Sequence, residues 1–230
     1  MKGDIITRRE ILKTLGLAGY WIIAGCPSSN PGGGDGGGGG GGNGEFHSIV
    51  LYAIGDTYTS SENPATNYGR EDIIQTGEIH TPQRSASFRG YVKFDVSSIP
   101  RNARIDSAIF SMSSVITASR IQPIATVDID KLTLNPWQEG GLTHNSSFNH
   151  MEFISSSRII LDGRVHNWDV KQAVRGWVAG EPNYGFTIKG RDIDDGYGGD
   201  DHGVGFISRE LAQRTGLLDI APKLTIDYLA

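Results

Sequence analysis

Five carboxylates fall within ten residues in the segment Asp192-Ile193-Asp194-Asp195-Gly196-Tyr197-Gly198-Gly199-Asp200-Asp201. Calcium takes about six to eight hard oxygen ligands, and aspartates on a glycine-bent loop converge on an ion without obstruction from Cβ atoms. Asp192, Asp194 and Gly196 fall in step with a calcium loop, but its distal glutamate is missing at the proper offset. Asp192, Asp194, Asp195 and Asp200 are the candidate Ca2+ ligands; the alternative is a solvated acidic hairpin tip. His144 and His150 stand six residues apart with Glu152 just beyond, a spacing that matches no recognised zinc pattern, so they read as exposed loop histidines. The chain has no G-x-S-x-G element and no H-E-x-x-H helix. Its many acids supply pairs of the kind used in glycoside cleavage, but only a measured separation could single one out. Catalysis therefore ranks behind binding.

Cys26 is the only cysteine. It follows the twin-arginine pair Arg8-Arg9, an apolar stretch from Leu15 to Gly25 and the small-residue pattern Ile23-Ala24-Gly25, which together read as a lipoprotein signal with Cys26 as lipid attachment point. The stretch is far shorter than the roughly 20 apolar residues of a membrane-spanning helix. Residues 1–26 are thus expected to act as the export signal and 27–45 as a flexible linker, since the glycine tract 32–44 loses the most backbone entropy on ordering. Its root-mean-square reach is about 20 Å. The expected location is outside the cytoplasm, lipid-anchored to the cell envelope.

Beyond the linker, residues 46–230 are long enough for one domain with a full core. Four of the chain's 21 Lys and Arg and four of its 26 Asp and Glu precede Phe46, so the domain carries 17 basic against 22 acidic residues and keeps the chain's net charge of −5. It has no basic run, which excludes nucleic acid as the natural partner, because phosphate neutralisation supplies most of that affinity. Without a second cysteine the domain must hold together by core area, or by core area plus bound metal.

The elements that would position these residues are strands. Phe88, Gly90, Val92 and Phe94 alternate with Arg89, Tyr91 and Lys93, the pattern of a half-buried antiparallel strand. Similar segments recur near 48–54, 72–76, 105–115, 124–134, 159–161, 184–189, 204–208 and 223–228, separated by turn signals such as Asn135-Pro136 and Glu181-Pro182-Asn183. One short helix is expected from Asp169, with Gln172 completing a capping box and Gly180 as the stop. The economical architecture is an all-β, jelly-roll-type sandwich of about nine antiparallel strands with one short helix.

Several segments in order resemble one family: Asp56-Thr57-Tyr58, Asn67-Tyr68-Gly69, Gly90 to Pro100, Trp137-Gln138-Glu139, Trp168-Asp169-Val170, Asn183-Tyr184-Gly185-Phe186, Phe206 to Glu210 and Pro222 to Ile226. The set resembles the DNRLRE domain, also described as carbohydrate-binding module family 96. The resemblance implies a β-sandwich of exported proteins, some members of which bind acidic polysaccharides such as alginate. Tyr91, Phe94, Trp137, Trp168, Trp177 and Phe186 are expected to be core. A sugar face needs an exposed aromatic and planar or cationic donors, and arginine suits a uronate carboxylate through its bidentate fork. Tyr58, Tyr68, Arg70, Arg84, Arg89 and Lys93 lie where the family pattern is densest and are the candidate carbohydrate-binding residues. The expected role is noncatalytic capture of an extracellular polysaccharide, uronate-containing ones included; a structural or adhesion lipoprotein binding another protein is the alternative, and a polysaccharide-degrading enzyme a third.

Overall fold

A computed structural model describes residues 44–81, 84–115, 124–134, 136–147, 150–160, 163–191 and 203–230. Arg8, Arg9 and Cys26 lie outside the described residues, as do Asp192, Asp194, Asp195 and Asp200 and the side chain of Arg84. The strands are β1 Phe46–Tyr52, β2 Gly55–Ser60, β3 Ile73–Thr81, β4 Arg84–Lys93, β5 Arg104–Val115, β6 Ile124–Leu132, β7 Met151–Ile160, β8 Val165–Asp169, β9 Phe186–Arg191, β10 Val204–Ile207 and β11 Lys223–Leu229. Two helices accompany them, α1 Lys171–Ala179 and α2 Arg209–Thr215. Among the described residues no helix is long and apolar enough to cross a membrane.

Every strand pairing is antiparallel. One sheet runs β1-β11-β5, with β8 on the far side of β5; the other runs β2-β4-β9-β6-β7. β3 joins them, because its first half pairs with β10 and, from Gly77 onward, it pairs with β4. Alternation decides which residues face inward: along β11, Leu224, Ile226 and Tyr228 are buried, and each intervening residue is half-exposed. From the opposite sheet Val92, Phe94, Phe186 and Ile188 meet Phe110, Met112 and Trp168 in one apolar cluster. Phe110 is its hub, stacked on Phe186 at 5.5 Å and edge-on to Phe94 at 5.5 Å. The all-β sandwich is thus observed, with the expected core aromatics buried.

Local details depart from expectation. β2 and β8 are additional strands, both too polar to show an apolar alternation: β2 reads Gly-Asp-Thr-Tyr-Thr-Ser and is buried throughout. α2 is an additional helix, signalled by Ser208, whose side chain accepts the Leu211 N–H at 3.2 Å, and by Gly216 in the left-handed region. α1 ends at Gly180 as expected, but its N-cap is Val170 rather than Asp169, and no capping box forms. The Asp169 carboxylate accepts the Lys171 N–H at 2.9 Å instead.

Gly185 closes the turn into β9. Its φ is +88°, and an added Cβ would collide with the Val92 carbonyl oxygen. Its N–H donates to Asn183 Oδ1 at 3.0 Å while Asn183 Nδ2 donates to the Phe94 carbonyl at 2.8 Å, so backbone and side chain pin the turn together. Gly185→Ala is expected to cost about 2 kcal/mol or more and lower the melting temperature by several degrees in a thermal scan.

Candidate functional site

Arg89 lies on the outer face of β4, one step beyond the Gly90–Ile188 pair, and both it and Lys189 of β9 lie close enough to Asp130 to act on its carboxyl. They line a groove of about 360 Å³, within the size range of small-ligand pockets. The floor includes Gly77 and Gly190, which bring backbone close to any occupant, and Thr59, Glu78 and Ser87 add hydroxyl and carboxylate groups. Its far wall is the 3-10 turn His144–Ser146, with Asn145 and Ser147. Ser147 Oγ donates to the His144 carbonyl at 2.8 Å, and the Asn145 N–H donates to the Pro64 carbonyl at 2.9 Å, so the turn is fastened to a neighbouring loop.

Between this groove and Lys93 the outer face is capped by a small apolar cluster, Tyr91, Leu132, Trp137 and Leu142. The chain that carries Trp137 and Leu142 leads directly into the His144 turn, and a charged cluster anchors it. The Asp56 N–H donates to Glu139 Oε1 at 2.8 Å, and Asp56 Oδ2 accepts the Arg209 N–H at 2.8 Å. Arg209 Nη2 bridges Glu139 Oε2 and Glu210 Oε1, each at 2.7 Å, while Nη1 donates to the Ile54 carbonyl at 2.7 Å. Asn67 Nδ2 donates to the carbonyls of Glu139 and Leu142, at 2.7 and 2.8 Å. Gly69 is needed beneath this segment, since a Cβ there would meet the Glu139 backbone within 2.5 Å.

Oxygens of Asp56, Glu139 and Glu210 lie within 4.8 Å of one another. Burial, then the charge of Glu210, pushes the Asp56 carboxyl well above the usual aspartate range, which favours its protonated form. Glu210 Oε2, buried with no other donor among the described residues, is the acceptor within reach. Three such carboxylates could share a metal ion, but the Asp56 proton and the two Arg209 bridges already relieve their repulsion. Glycosidase carboxylates flank a sugar at about 5 Å or more and must reach it, whereas Asp56 is 2% exposed. The cluster is a strut for the groove wall rather than an acid–base pair.

The sequence profile of carbohydrate-binding module family 96 matches residues 48–220. The chain belongs to this carbohydrate-binding family. No curated protein matches it significantly. The family assigns the domain a carbohydrate-binding role, and modules of this family are typically noncatalytic.

On this carbohydrate-binding module the six sugar-binding candidates do not form one face. Arg89 lines the groove. Lys93 shares its strand face but stands four residues further along β4, about 13 Å away, beyond the Trp137 cap. Tyr58 points the other way, into the core, and the half-buried Tyr68 stacks on it at 4.2 Å with an 18° interplanar angle. Burial raises the Tyr58 hydroxyl's pKa further still. Arg70 is exposed on the loop beyond Tyr68, and Arg84 is paired with Thr81 at the tip of the β3–β4 hairpin. His144 is half-buried in the groove wall and His150 exposed near the start of β7, so the two histidines serve different places. Lys189 carries no sequence signal of its place here, because β4 and β9 are about 100 residues apart and only the fold brings them together. The Asp56, Glu139, Arg209 and Glu210 cluster was spelled out in the family-like segments, but nothing in their spacing showed convergence.

Proposed function

We propose that the protein is a noncatalytic, envelope-tethered module that holds an extracellular polysaccharide, with the groove between β4, β9 and the His144 turn as its sugar site. The observation that carries this reading is that Arg89 and Lys189, from two different strands, line the same groove. A guanidinium fork matches a uronate carboxylate bidentately and an ammonium adds a mobile donor, so an acidic sugar fits better than a neutral one. Glu78 and the hydroxyls of Thr59 and Ser87 suit ring hydroxyls. The Arg8-Arg9 leader, Cys26 and the glycine tract support display on the envelope. In affinity electrophoresis on a uronate-polymer gel, Arg89→Ala with Lys189→Ala should weaken apparent binding by the full chain at least tenfold with an unchanged thermal melt. Retardation equal to that of the unsubstituted chain would move the sugar site elsewhere.

One observation favours the adhesion reading. Phe46, Val50 and Tyr52 are exposed in a row along β1, which is paired on one side only among the described residues. A protein partner would be marked by loss of capture in Val50→Lys with glycan retention intact.

A further inference from the structure

A second groove, of about 840 Å³, runs along α1 between the turn before β5 and strand β7. Arg101, Arg104, Lys171 and Arg175 line it against two carboxylates, Asp169 and Glu181, a net charge of plus two on a chain whose total is −5. Both acids are already engaged: Asp169 accepts the Lys171 N–H at 2.9 Å, and Glu181 pairs with Lys131 at 3.1 Å. Arg104 pairs with Asp106 at 3.2 Å. The side chains of Arg101, Lys171 and Arg175 meet no ion-pair or hydrogen-bond partner among the described residues, whereas Lys131, Arg209 and Arg214 are all paired with carboxylates. Lys171 and Arg175 are four apart on one helix face, where like charges destabilise a helix. Asp169 and Glu181 offset only part of that positive charge; an anion in the groove would offset the rest.

We infer that this groove is a second binding site for acidic polysaccharide, separate from the one on β4 and β9, which makes the module bivalent. The inference rests on the polysaccharide reading above. The two grooves share no lining residue. A groove beside a helix takes a single extended chain rather than a flat lipid surface, and its unpaired cations select a chain bearing repeated carboxylates or sulfates. Two such sites on one domain bridge two strands, or two stretches of one strand, and raise the apparent affinity for polymer over that for a short oligomer.

Titrating the full chain with a galacturonate hexamer, followed by native mass spectrometry at low ionic strength, tests this. Two hexamers per chain are expected, falling to one in Arg101→Ala with Arg175→Ala, and also to one in Arg89→Ala with Lys189→Ala. Arg101→Lys with Arg175→Lys should keep two hexamers with several-fold weaker binding at the second site, which separates loss of charge from loss of fold. An unchanged stoichiometry in the Arg101 and Arg175 alanine variant overturns the inference; loss in the Arg89 and Lys189 variant would then leave the first site standing. If phosphatidylglycerol vesicles bind the full chain and lose it in the Arg101 and Arg175 variant while hexamer stoichiometry is unchanged, the groove is a lipid site and the inference falls.

Discussion

Arg209→Ala is expected to destabilise the domain by about 3 kcal/mol, the scale of removing one partner from a largely buried ion network. For a domain of this size that corresponds to a fall of roughly 6–12 °C in melting temperature. The guanidinium bridges Glu139 and Glu210, donates to the Ile54 carbonyl, and is 20% exposed, so water replaces little of what is lost. Three carboxylates would then face one another within 4.8 Å with only the Asp56 proton between them. Glu139 would also lose its tie to α2 and keep only the Asp56 N–H, loosening the chain that leads to the His144 wall. Sugar affinity should therefore drop along with stability, although Arg209 touches no groove residue. Arg209→Lys supplies one charge without the fork and should fall between the two. A melting temperature within a degree of the unsubstituted protein would show that the cluster bears no load.

Asp56→Asn should do the reverse, and its signature is pH dependence. Burial and the neighbouring charge of Glu210 hold the folded-state proton on Asp56 well above the usual aspartate value. Because the folded value is raised, the stability linked to that proton is complete below about pH 4, where an unfolded aspartate is also protonated, and is lost as pH rises through the raised value. The unsubstituted protein should lose melting temperature as pH rises from about 4 to that raised value and level off beyond it. Asparagine keeps an oxygen for the Arg209 N–H and offers Nδ2 to Glu210 Oε2, yet has nothing to ionise. Its melting curve should run flatter, meeting the parent at low pH and exceeding it at high pH. Parallel curves for the two proteins would mean that Asp56 is already ionised in the fold.

The fold class was legible because its signal is local. Phe88, Val92 and Phe94 alternate along β4, and Leu224, Ile226 and Tyr228 along β11, wherever one face meets the core. β2 was not, because apart from Tyr58 its buried side chains are the polar Asp56, Thr57, Thr59 and Ser60, which are held by pairing with β4 and by long-range hydrogen bonds rather than by apolar contact. The site followed the same division. Arg89 was identifiable from its place in a recognisable strand, but Tyr58 sits on the inward parity of β2 and so packs in the core. Lys189, Glu78 and the His144 turn reach Arg89 only through register and crossing, which no residue spacing encodes.

Size-exclusion chromatography of a full-length uronate polymer after long incubation with the full chain tests the central claim most directly, since elution position reports binding and polymer length together. The account predicts that protein co-elutes with polymer of undiminished length, and that the Arg89→Ala and Lys189→Ala variant elutes largely free. Shortened polymer, or protein that never moves with it, would contradict a noncatalytic sugar-holding module.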